Sequence, residues 1–136
     1  MKITTLIARW LLGLMFLVFG LNGFLNFIPQ GPMPTGFAGQ FLGALMGSHY
    51  MLAVCLIELV AGLLFLANRC VPIALSLTGP ILVNILLFHA SMNPSGIVPG
   101  LIVTALWLLV FYSVRSAFAG IFQCHVAPND KGTSPS

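Results

Sequence analysis

Residues 55–65 read Cys55-Leu-Ile-Glu58-Leu-Val-Ala-Gly62-Leu-Leu-Phe65, and they place the chain's only glutamate inside an apolar run. Outward from Glu58 the apolar character continues from about Tyr50 to Ala67. It shows no alternation of polar and apolar positions, so it does not read as a half-buried strand. Its length approaches the roughly 20 residues needed to cross the hydrocarbon core of a bilayer.

The rest of the chain has the same character. It is 59% hydrophobic and 5% charged, with five basic and two acidic residues among 136. Soluble domains carry roughly 25% charged residues. So few charges cannot cover a water-facing surface, and the exterior must face lipid. Further apolar runs extend from about Ile3 to Phe27, from about Val71 to His89 and from about Ile97 to Phe118. Only helices and closed barrels satisfy their backbone in lipid, and four continuous runs are too few for a barrel. The expected fold is all-α: an integral membrane four-helix bundle, antiparallel and up-down, over residues 1–122. Lys2 and Arg9 resemble the basic region of a signal peptide, but the apolar stretch after Arg9 is too long and lacks a clean cleavage site.

Basic residues set the orientation. Lys2, Arg9, Arg69, Arg115 and Lys131 fall on one side of a four-span chain, whereas the opposite loops 28–49 and 90–98 hold no Lys or Arg. Both termini are therefore expected in the cytoplasm, with the chain a multi-pass protein of the inner (plasma) membrane. The loop 28–36, IPQGPMPTG, is too rich in Pro and Gly to be helical. Residues 37–48 suit a short interfacial helix. The short connection near residues 68–70 predicts a helical hairpin, and the polar segment 123–136 reads as a disordered cytoplasmic tail.

Polar groups inside the spans are the candidates for function. At about 1.5 Å rise per residue, Asn22, Glu58 and Asn84 lie roughly 16–20 Å above the basic edge, at a shared level. Asn26 follows one turn above Asn22, and His49 and His89 lie nearer the outer edge. Together they outline an outward-biased ligand pocket. Cys55, Ala61 and Gly62 share the Glu58 face, and small residues mark a close helix approach. Gly79-Pro80 is expected to bend the third span below Asn84. A charged carboxylate at the bilayer centre costs at least about 2.5–3.5 kcal/mol, so the expected resting form of Glu58 is the neutral acid. Two readings of it stand: a hydrogen bond that joins helices, or a functional group.

Other chemistries find no support. Cys55, Cys70 and Cys124 contain no CxxC pair for a thiol relay. Glu58 with His49 and His89 makes a poor metal set, and no metal site is expected. Trp10, Trp107 and Tyr112 read as lipid-facing or interfacial residues. No phosphate loop, nucleophile elbow or nucleic-acid patch is present, and the net charge of +3 reads as the orientation signal. No haem, flavin or iron–sulfur ligand pattern is recognisable, so no covalently held cofactor is implied.

The pattern Arg9-x-x-Leu12-Gly13-x-x-Phe16-x-x-x-Gly20, with Glu58-x-x-x-Gly62, resembles the DoxX family of small four-helix bacterial membrane proteins. The resemblance covers roughly Ile3 to Phe122. It implies an inner-membrane bundle linked to respiratory or thiol redox systems, at most an accessory oxidoreductase subunit. Relatives often carry a basic residue shortly after the last glycine of the first motif, where this chain has Asn22-Gly23. Three function classes follow: a redox-associated subunit binding quinone or a similar small apolar compound near Glu58, a small-solute or lipid transporter, and a membrane scaffold or assembly factor. The expected partners are membrane lipid, redox protein subunits or further copies of the chain, and not nucleic acid.

Overall fold

The computed structural model describes residues 2–125. Among them it contains helices and turns and no strand. The α-helices are α1 (Lys2–Leu25), α2 (Gly36–Gly47), α3 (Tyr50–Ala67), α4 (Val71–Ser91) and α5 (Ile97–Val114). A 3₁₀ turn, Pro94–Gly96, leads into α5, and a 3₁₀ segment, Arg115–Phe122, follows it. Four helical stretches are long and apolar enough to cross a membrane: α1, α3, α4 and Pro94–Phe122. Residues 126–136, most of the expected tail, lie outside the described residues.

The element ends follow local backbone chemistry. The first helix stops at Leu25 instead of Phe27. Asn26 takes a left-handed conformation at φ 49°, and its N–H bonds the Asn22 carbonyl at 2.8 Å. That is the single-bond left-handed helix stop. α3 ends in a Schellman turn around Asn68 (φ 53°), with Asn68 N–H on Phe65 O and Arg69 N–H on Leu64 O. Cys70 is also left-handed and starts α4, where Pro72 occupies a position whose N–H needs no partner. The hairpin expected near residues 68–70 is thus built by two left-handed residues. α4 runs on to Ser91, two residues past the expected end, and is a continuous helix through Pro80. The fourth span is split: α-helical to Val114, then 3₁₀.

The long helices pack in the cyclic order α1–α3–α4–α5. Neighbours run antiparallel. Gly13 of α1 lies against Phe65 and Leu66 of α3, whereas Gly23 lies against Cys55. Gly100 of α5 lies against Ile85 and Leu86 of α4, whereas Trp107 reaches Thr78. The core is a row of apolar side chains including Leu12, Phe16, Phe65, Leu75 and Val110. Large apolar side chains such as Leu14, Leu63, Val83 and Leu108 remain exposed around the outside, as lipid-facing helices require. α2 touches α3, and its Phe41 ring stacks on Phe88 of α4 at 5.7 Å between centroids.

Candidate functional site

Glu58 sits in the middle of α3, one helical turn from Cys55 on one side and from Ala61 and Gly62 on the other. Those three small residues are buried, and α1 lies against them. A β-carbon added at Gly20 would stand 2.7 Å from the Leu59 backbone nitrogen and 2.8 Å from the Cys55 carbonyl. One added at Gly62 would stand 2.6 Å from the Leu17 nitrogen. The two backbones therefore touch, which only glycine permits here. Glu58 itself is half-buried at the margin of this contact. Among the described residues its carboxyl makes no hydrogen bond and no ion pair.

The other candidate residues have partners of their own. Asn22 is buried, and its Oδ1 accepts the Ile28 N–H at 2.7 Å. With the Asn26 turn, this ties down the C-terminal end of α1. Asn84 is exposed, and its Nδ2 donates to the Pro80 carbonyl at 2.9 Å, back along its own helix. His49 is exposed in the left-handed turn between α2 and α3 (φ 61°). His89 is half-buried, with Nδ1 3.0 Å from the Asn93 carbonyl oxygen and its ring beside Gly96. It pins the loop between α4 and α5. No hydrogen bond joins any of these five residues to Glu58 among the described residues. No group of three His, Cys, Asp or Glu positioned to hold a metal occurs among them either.

Two polar residues form contacts that sequence reading missed. Arg9, read as an orientation anchor, is buried. Its guanidinium donates to the carbonyl of Phe65, with Leu66 O at 3.4 Å, at the C-terminal end of α3. A cation is favoured at that pole of a helix. Trp107, read as a lipid-facing residue, donates from Nε1 to Thr78 Oγ1 at 3.0 Å. Thr78 is fully buried, and its hydroxyl donates a hydrogen bond to the Ala74 carbonyl at 2.9 Å. A buried indole N–H requires a partner, and Thr78 supplies it. The only advance signal was the presence of each polar group inside an apolar span.

Chemically, Glu58 can act as a hydrogen-bond donor when neutral and an acceptor in either form. It is the only carboxylate among the described residues, and none of them hydrogen-bonds it. No family model, no curated protein and no solved structure matches this chain.

Proposed function

We propose that this chain is a DoxX-like multi-pass protein of the inner membrane, with both termini cytoplasmic, that serves as a redox-associated subunit. Its working group is Glu58, which hydrogen-bonds the carbonyl of a quinone or a similar small apolar compound and exchanges a proton with it. Electrons come from a partner subunit's cofactor. The observation that carries this reading is the half-buried Glu58 carboxyl in mid-helix, without a partner among the described residues. An intramembrane ionisable group is a functional candidate by default. The orientation is supported by the clustering of Lys2, Arg9 and Arg115 at one end of the helices, next to the Arg69 turn.

The test is photolabelling of the detergent-solubilised protein with a reactive quinone analogue. The expected result is a crosslink in α3 that excess quinone suppresses and that Glu58→Gln weakens. Labelling that ignores both competition and the Glu58→Gln change would refute the quinone site. A scaffold role is the second reading, because a carboxyl at the margin of α3 can also meet a polar group on another chain. Co-purifying membrane subunits that Glu58→Gln releases, without quinone labelling, would favour it.

A further inference from the structure

We propose that the basic end of the bundle is a binding site for one phosphate group, carried by an anionic lipid headgroup or by free phosphate. A cleft of about 400 Å³ opens there between the start of α1 and the end of α5, lined by Lys2, Thr5, Tyr112, Ser113 and Arg115. A smaller space of about 190 Å³ adjoins it, sharing Lys2, Thr5 and Ser113 and reaching inward to Arg9 and Asn68. Cations and hydroxyls from two helices thus converge on one concavity.

Among the described residues the cleft's positive charges have no counter-charge. Glu58 is the only carboxylate among the described residues, and it lies in the middle of α3. Arg115 is already held in place. Its guanidinium lies 4.0 Å over the Tyr112 ring and donates once to the Tyr112 carbonyl at 3.1 Å. A guanidinium has five N–H donors, so most of the fork stays available for phosphate oxygens. Stacking on the ring fixes the fork before ligand arrives. Lys2 adds a mobile second charge and Thr5 a hydroxyl. Arg9, engaged with the end of α3, contributes its field to the inner wall without a direct contact. The first-turn N–H groups of α1 add a weaker positive pole.

Position selects the ligand. The cleft lies where the apolar spans end, which is the level of lipid headgroups. Basic residues at that level attract anionic lipids in general. What separates a site from that diffuse attraction is the difference between Arg115, inside the cleft, and Arg69, an exposed charge that does not line it.

The test uses the full chain in mild detergent, titrated with short-chain phosphatidylglycerol, with the matching diacylglycerol lacking phosphate, and with inorganic phosphate. Retention of ligand is read by native mass spectrometry and stabilisation by thermal unfolding. Phosphatidylglycerol is expected to bind and raise the Tm, and diacylglycerol to do neither. Arg115→Gln and Lys2→Gln should each weaken binding about tenfold, Arg115→Lys less, and Arg69→Gln not at all. Normal elution and helicity of each variant keep a folding failure apart from a binding loss. Competition by inorganic phosphate would identify free phosphate as a ligand, whereas binding of the lipid alone would identify the headgroup. Equal binding of diacylglycerol, an equal loss in Arg69→Gln, or no phosphatidylglycerol binding would overturn the site.

Discussion

The guanidinium of Arg9 donates to the backbone carbonyl of Phe65, joining the first turns of α1 to the last turn of α3. The last carbonyls of a helix have no partner within it. Two devices meet them here: the Schellman turn at Asn68 and a side chain from another helix. A hydrogen bond to a charged group contributes about 1.5–3 kcal/mol. Arg9→Leu is expected to remove about that much stability, and Arg69→Leu, at an exposed position, less than about 0.5 kcal/mol. Thermal unfolding in one detergent compares them. Equal Tm values for the two variants would mean that Arg9 serves only as a surface charge.

The glycine contact between α1 and α3 gives a second prediction of opposite signs. Alanine is intrinsically better than glycine in a helix by about 1 kcal/mol. At Gly43 of α2 a β-carbon meets nothing within 4 Å, so Gly43→Ala should stabilise by up to that amount. At Gly20 it would press on the Leu59 and Cys55 backbone, and overpacking costs about 1–3 kcal/mol. Gly20→Ala should therefore lose stability on balance, and Gly20→Val more. A denaturation series across the three variants checks both the signs and the order.

Thr78 and Trp107 couple α4 to α5. Replacing either as Thr78→Val or Trp107→Phe removes the Trp107–Thr78 hydrogen bond, which in a membrane protein contributes about 0.6–2 kcal/mol, whereas the longer contact of the indole with the Leu75 carbonyl at 3.3 Å survives Thr78→Val. The double variant should lose less than the sum of the single losses, because the same bond is absent in all three. Full additivity would show that the two side chains stabilise the bundle independently.

Glu58→Gln keeps shape and hydrogen bonding but cannot exchange a proton. With no partner for the carboxyl among the described residues, this change should leave the stability within about 0.5 kcal/mol of wild type. Complementation of a deletion strain, measured on the same variant, is expected to fail. A Gln variant that complements fully would leave Glu58 without a role in proton exchange.

Accessibility of the cysteines tests the orientation. Cys70 and Cys124 are exposed and Cys55 is buried. An impermeant maleimide added to intact cells should label none of them, and opening the cells should expose Cys70 and Cys124 alone. Efficient labelling of Cys124 from outside would reverse the topology.

The spans were legible because a lipid-facing surface imposes one demand, apolarity, on every outward residue. The helix ends were less so, since they depend on single left-handed residues such as Asn26 and Asn68. The close approach around Cys55, Ala61 and Gly62 was legible from residue size, because only small side chains let backbones touch. Counting along the helices puts Asn22 and Asn84 at similar heights, yet one is buried and the other exposed. Height along a helix follows from counting. Rotation about its axis depends on which neighbour it packs against. For the same reason the partners of Arg9 and Trp107 were out of reach, being 56 and 29 residues away in the chain.

The tie between Arg9 and Phe65 also bears on how the chain enters the membrane. A ribosome delivers α1 well before α3, so the guanidinium and the glycine groove exist before either has anything to meet. During that interval the Arg9 guanidinium lacks the Phe65 carbonyl that it meets in the folded chain. The long connection through α2 provides slack for α3 to return antiparallel. Arrival of the last turn of α3 then supplies the carbonyl that Arg9 meets. The contact between α1 and α3 therefore closes a loop through an intervening helix, and it forms only after α3 has been made.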